Sequence, residues 1–217
     1  MVRAEGVPSR EWGQLRDLAH DGLRDLILDG IMEPGELLDL RRLQDRFGVP
    51  SDAIHDAMIA LCAEGLLARE SATRQFHVVN PDPGAVGDAL RTIGVLIGGV
   101  VRQVVPMLTP SSSSGLIASV DTATVFARRG EPRGHAQATL QFYAALLAVC
   151  PNPVLVGLTR ASLVPLSYHY LVTVDRRELD WSLIVNSWGK LREAINRGDQ
   201  IEGELAIEAL HGLPITE

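Results

Sequence analysis

Two prolines within four residues, in Asn80-Pro81-Asp82-Pro83-Gly84, constrain this chain more than any other feature. A proline lacks a backbone N–H and turns the residue before it away from helical geometry, so neither helix nor sheet can run through this segment. It separates a stretch of mixed periodicity from a longer one patterned throughout as helix. A chain of 217 residues is long enough for two such parts, each with its own core. The expected organisation is a domain at 1–79, a linker at 80–85 and a second domain at 86–217.

Before the break, apolar residues recur at helical spacing over 10–28 (Trp12, Leu15, Leu18, Leu23, Leu26, Ile27, Leu28), and Gly30 closes the pattern. Pro34-Gly35 makes a turn. Residues 37–40 form a short extended or helix-entry segment, and a brief helix over 40–47 ends at Gly48-Val49-Pro50. Ser51 stands where the N-cap of the next helix belongs, its hydroxyl able to accept a free backbone N–H. Ile54, Met58 and Leu61 mark that helix's inner face as far as Glu64. Two short helices broken by a glycine-containing turn make a helix-turn-helix. The stretches 66–69 and 76–79 then read as the strands of a hairpin, a wing with its tip at 71–75.

After the break the patterns are helical over 86–108, 114–129, 134–149, 154–172, 181–197 and 200–210, with no convincing pair of strands. Pro106 ends or kinks the first, Ser111 to Ser114 form a serine-rich turn, and Pro151-Asn152-Pro153 separates the third from the fourth. Five or six helices in such a length close as a helical bundle. The fold class is therefore mainly α: a winged helix-turn-helix with a small β-hairpin, then an all-α bundle.

Composition excludes several alternatives. With 46% hydrophobic and 22% charged residues the chain is globular rather than disordered or fibrous. The opening residues lack a signal-peptide pattern, and the most apolar stretch, 93–101, is cut by Arg102 and too short to span a bilayer, so a cytoplasmic protein without membrane contact is expected. Cys62 and Cys150 lie in apolar surroundings without metal-like spacing and read as reduced core residues. No G-x-S-x-G elbow, phosphate loop or H-E-x-x-H occurs, so no enzyme is expected. Net charge is −7, and in residues 1–80 nine arginines stand against fourteen aspartates and glutamates. A domain that grips phosphates usually has the opposite balance.

The run from Leu23 to Leu38, with Ile27, Gly30, Pro34 and Gly35, resembles the opening of GntR-family regulators, whose first helix ends in I-x-x-G-x-x-x-P-G-x-x-L. The resemblance continues through Leu43 to Pro50 and Ala57 to Leu67, covering nearly all of 20–79. It implies a double-stranded DNA operator as partner. In the family the recognition helix commonly begins S-R-T-P-V-R-E-A; here Ser51 and His55 occupy the two arginine positions, and Asp52 and Asp56 add negative charge. Hydroxyl and imidazole can bond base edges, but without the bidentate guanine contact of arginine. The basic candidates for phosphate are Arg41, Arg42 and Arg46 on the first helix of the motif, and Arg69 and Arg74 on the wing, whose tip lacks the family's usual glycines.

The second half is similar to the helical effector domain of the FadR-like (FCD) subfamily, through Phe142-Tyr143, Asn152-Pro153 and Leu191 to Asp199. Many such domains hold a divalent metal with an aspartate and a histidine four residues apart and two further histidines. The corresponding positions here are Thr139, Tyr143, Trp188 and His211, so at most one ligand survives and no metal or other cofactor is expected. The resemblance then implies a small organic effector bound directly by Thr139, Tyr143, Tyr168, Trp188 and His211. Either Tyr168 or His169 lines that site, because successive helical residues lie roughly 100° apart. His20, His77 and His135 show no partner pattern and are assigned no role. The implied function is a ligand-responsive transcription regulator that binds its operator as a homodimer. The alternative is a winged-helix-derived ligand-binding or protein-interaction dimer that has lost specific DNA binding.

Overall fold

A computed structural model describes residues 9–82 and 84–213, and divides the chain into two compact units, Met1–Asp82 and Pro83–Glu217. The opening residues where a leader was sought, Pro83 of the expected linker and the last residues of the helical part lie outside the described residues.

The first unit begins with helix α1 (Ser9–Leu28), which buries Ala19, Leu23, Leu26 and Ile27 on one stripe. Asp39 caps α2 (Leu40–Phe47), its carboxylate accepting from the N–H groups of Arg41 and Arg42, and Gly48 closes that helix at φ 65°. Ser51 is not the cap of α3 (Ser51–Ala63). Pro50 holds that place in extended geometry, its carbonyl accepting from Ala53 and Ile54, and no side chain caps the helix. The proline's fixed φ presets the turn, which moves Ser51 one position inward. Strands β1 (Leu67–Arg69) and β2 (Phe76–Val78) pair antiparallel, with Ala68 opposite His77. The extended segment before α2 joins them: Leu37 bridges to His77, and Leu38 donates to the Phe76 carbonyl. Leu23, Ile27, Ile54, Leu61 and Leu66 are fully buried in this unit.

The second unit is a bundle of α4 (Ala85–Val104), α5 (Pro110–Arg129), α6 (Pro132–Ala148), α7 (Pro153–Leu171), α8 (Trp181–Arg197) and α9 (Gln200–Leu210). Prolines open α5, α6 and α7, where a missing N–H costs nothing. A short 3-10 turn at Val105–Met107 carries Pro106 and ends α4. The serine run is not a turn but the first turn of α5: Thr109 and Ser112 form a reciprocal capping box, which starts the helix at Pro110. α4 packs on α7 and α9, α5 on α6 and α8, and α8 on α9. The shared core joins Ile97, Val101, Val120, Phe142, Leu146, Trp188, Leu191 and Ile207.

α4 and its 3-10 extension, Ala85–Met107, are long and apolar enough to cross a membrane by length and composition, contrary to the expectation from 93–101. Part of its apolar surface is buried inside the bundle, through Ile93, Ile97, Val100, Val101 and Val104, while Val95 and Met107 are exposed. Glycines allow that packing. A Cβ on Gly203 would stand 2.9 Å from Val101 Cγ1, and one on Gly94 would stand 2.8 Å from His211 Cβ. Cys62 and Cys150 are half-buried free thiols rather than core residues, and burial pushes the Cys62 thiol up.

Two glycine substitutions should move stability in opposite directions. Gly203→Ala forces a methyl against Val101 and is expected to destabilise the helical unit by about 1–3 kcal/mol. Gly99→Ala, where nothing lies within 4 Å, is expected to stabilise it by about 0.5–1 kcal/mol through helix propensity. Urea unfolding of the full chain checks both.

Candidate functional site

In the first unit the candidate DNA-binding side chains fall into three settings. Arg41, Arg42 and Arg46 are exposed on α2, whose inner face is held by buried Leu43, and their guanidinium groups have no protein partner among the described residues. Asp45 is the one acid within that helix. Ser51 and His55 are both half-buried on α3, and the His55 ring meets Phe76 of β2 edge-on at 5.6 Å, so it is seated against the wing rather than free in solvent. On the wing, Arg69 lies over the Phe76 ring at 5.2 Å and donates from Nε to the Arg74 carbonyl, which leaves fewer of its donors for another partner. Arg74 is exposed and takes φ 61°, a left-handed backbone that glycine would adopt without strain.

The acidic surplus of this unit is spread along it rather than gathered on one element, and part of its acidic charge is paired on α1. Asp17, Asp21 and Asp25 stand there against Arg16 and Arg24, and His20 bonds both Asp21 and, at 2.6 Å, Glu64 just after α3. Asp56 faces α1 across a shallow groove shared with Arg16. The Arg16 guanidinium is held charged chiefly by Asp17, with a smaller contribution from Asp56. Asp52 stands exposed in the first turn of α3, where its charge favours the helix dipole.

In the second unit a cavity of about 100 Å³ opens among α4, α6, α7, α8 and the end of α9. Thr139 and Tyr143 line it from successive turns of α6, and His211 lines it from just beyond α9. The same four-residue spacing extends one turn back to His135, which also faces the cavity and had no role assigned from sequence. Trp188 is fully buried but outside the lining. Its indole N–H donates to His135 Nε2 at 2.9 Å, and its ring meets Phe142 edge-on at 5.4 Å. It supports the site from behind. Tyr168, also fully buried, is not in the lining; Ser167, Tyr170 and Leu171 turn toward the cavity instead, and His169 does not. Three- and four-residue spacing puts that trio on one face of α7, with Tyr168 about 100° away from Ser167.

Beside the hydroxyls of Ser167 and Tyr170, the polar groups around this cavity form two fixed pairs. His211 Nδ1 lies 2.7 Å from the Ile207 carbonyl, which can only accept, so Nδ1 carries the proton and Nε2 accepts the Tyr143 hydroxyl at 2.6 Å. Indole can only donate, so His135 Nε2 is the bare nitrogen of that ring. Thr139 donates back to the His135 carbonyl at 2.8 Å. Burial, reinforced at His135 by the neighbouring His211, pulls that imidazole down to about 4. Burial likewise brings His211 to about 4, against the opposing bond to Ile207. Burial also drives the Tyr143 phenol well above its ordinary value. Among the described residues no three His, Cys, Asp or Glu side chains converge as a metal site would require.

With this geometry in view, comparison with known proteins is informative for the first unit and for the fold. Residues 15–74 match the family model described as bacterial regulatory proteins, gntR family. No curated protein matches the sequence closely enough to infer kinship. Among solved structures, Escherichia coli McbR/YncC superposes with a TM-score of 0.75 at 16% identity, over 91% of this chain and 93% of that one. A Rhodococcus sp. RHA1 protein described as a GntR transcriptional regulator does so with a TM-score of 0.70 at 18% identity, over 92% and 94%. The two-unit architecture, a winged helix-turn-helix followed by a helical region, is therefore that of solved gntR-type regulators.

Two buried neutral histidines make the helical unit sensitive to acid. Above pH 6.5 both rings are neutral folded and unfolded. Below it the unfolded chain takes up protons that the folded unit refuses until about pH 4, so stability is lost as pH falls through that window. In a Trp12→Phe background, where Trp181 and Trp188 report on the helical unit, urea unfolding at pH 5 should show clearly lower stability than at pH 7.5. His135→Phe should flatten the difference. A pH-independent midpoint would contradict the neutral, buried assignment.

Proposed function

Starting from a gntR-family helix-turn-helix domain at residues 15–74 joined to a helical bundle, we propose that the protein is a ligand-responsive transcription regulator that binds an operator in double-stranded DNA as a homodimer. The supporting observation is the trio Arg41, Arg42 and Arg46, exposed and unpaired on α2 beside the motif's second helix. Free guanidinium groups fixed on one short helix suit phosphate binding, which needs charge but no base readout. Ser51 and His55 supply the base-directed contacts from α3, and Arg69 and Arg74 add phosphate contacts from the wing. The acidic total of the unit opposes this less than its size suggests, because Asp17, Asp21, Asp25 and Glu64 are engaged by Arg16, Arg24 and His20, whereas the arginines of α2 make no ion pair among the described residues. Two copies of the motif are needed to read paired half-sites about one helical turn apart, hence the dimer. The helical unit serves as the effector domain, and its ligand shifts the population of DNA-competent dimers.

Fluorescence anisotropy with the DNA upstream of the protein's own gene, over a range of salt, tests this reading. Affinity should fall steeply with salt, and Arg46→Ala should weaken binding to all sequences alike while reducing the salt slope by about one. His55→Ala should relax preference at a single base position. Arg74→Gly should separate the two demands on the wing tip, raising stability by about 1 kcal/mol as the left-handed strain is relieved while lowering DNA affinity. If the folded protein binds neither this DNA nor random duplex at low salt, the protein has kept the winged helix without its use on DNA.

A further inference from the structure

His135 has a hydrogen-bond donor that nothing among the described residues satisfies. Its Nε2 is occupied by the Trp188 indole N–H, so the proton of the neutral ring sits on Nδ1, and Nδ1 is buried without a partner. The residue itself is only 5% exposed, and it lines the cavity. A buried N–H left unmatched costs about 1–3 kcal/mol, and that cost is recovered when an acceptor arrives. Two of the other polar groups are committed as well, while Ser167 and Tyr170 add hydroxyls to the lining. Tyr143 spends its hydroxyl proton on His211 and Thr139 spends its own on the His135 carbonyl, so both present only lone pairs.

The lining holds no arginine, lysine, aspartate or glutamate. Its two imidazoles are neutral at physiological pH, each for reasons of burial. An anion entering this site would lose its hydration with no counter-charge in the lining itself, the one cation acting on a lining group being Arg177 on Tyr170 from outside it among the described residues, and burial of that kind is costly. Around the polar edge stand Leu90, Ile93, Leu140 and Ile184, which reward an apolar body. A cavity of about 100 Å³ holds more than a single water and suits a molecule of a few heavy atoms.

We infer that this cavity takes an uncharged, mainly apolar small molecule that places a carbonyl-type oxygen on His135 Nδ1–H. The inference deepens the reading of the helical unit as an effector domain, and it concerns ligand chemistry alone, so it stands or falls separately from DNA binding. His135 is the specificity-determining residue. Trp188 is a positioning residue: its indole N–H fixes the tautomer that leaves the proton on Nδ1, and a small turn of the His135 ring is needed to bring that donor to the ligand.

The test uses the full-length protein with 15N-labelled histidine and three probes of similar size, cyclopentanone, isobutyrate and cyclopentane. Long-range 1H–15N spectra read the ring nitrogens of His135 directly. Cyclopentanone should shift the His135 Nδ1 resonance saturably, with the tautomer unchanged, and bind at least about tenfold more tightly than isobutyrate, the equivalent of one hydrogen bond. His135→Phe, which keeps an aromatic ring but removes the donor, should weaken the ketone about tenfold and leave cyclopentane binding unaltered. The wild-type spectra decide the matter even if that variant does not fold. Equal or tighter binding of isobutyrate, a ketone that leaves Nδ1 unmoved, or no ketone binding at all would overturn the inference while leaving DNA binding to be judged by its own measurement.

Discussion

Close approach of α9 to α4 is the constraint on which the helical half depends. Gly94 and Gly203 remove the side chains that would hold these helices apart, and the approach sets His211 against α4 and within bonding distance of Tyr143 on α6. Burial there disfavours the charged form of the imidazole, and no carboxylate among the described residues bonds to it. Its Nδ1 proton goes to the Ile207 carbonyl one turn back, and that choice dictates everything downstream: Nε2 accepts, Tyr143 donates, and the phenol turns its lone pairs to the cavity. A backbone packing decision thereby fixes the hydrogen-bond polarity of a site several side chains away.

The winged unit illustrates a different point, the difference between total charge and local charge. Nine arginines against fourteen acids in the first eighty residues describe a domain unfit for nucleic acid. The structure distributes those charges unevenly, with Asp17, Asp21 and Asp25 compensated along α1 and three arginines uncompensated on α2. Field strength at a phosphate is set within about a Debye length, roughly 8 Å at physiological salt, so the local arrangement outweighs the sum. The replacement of wing glycines also has a structural reading, since Arg74 itself adopts the left-handed conformation that glycine takes without strain.

Much of the fold was legible because prolines, glycines and apolar periodicity agree at its boundaries. Pro110, Pro132 and Pro153 open helices, Gly48, Gly130 and Gly198 close them, and the break at 80–84 coincides with the division between units. Misplacements came where a side chain serves the backbone in a way composition does not reveal. The serine run reads as a turn, yet Ser112 completes a capping box with Thr109 and belongs to a helix. Of the cavity lining, Thr139 and Tyr143 on α6 and His211 after α9 were legible; one further step of the four-residue spacing would have reached His135. On α7, Tyr168, His169 and Tyr170 are adjacent, and only packing decides which faces inward. Trp188 was placed near the site by alignment, but its role behind His135 rests on a tautomer that no sequence shows.

Hydroxyl-radical footprinting on the DNA upstream of the protein's own gene tests the central claim most directly, because it reads the phosphate backbone that the arginines of α2 are placed to hold. The account predicts two symmetric clusters of protection, their centres about one helical turn or a multiple of it apart, fading as salt is raised. Uniform cleavage at low salt, with the protein folded and in excess, would contradict it.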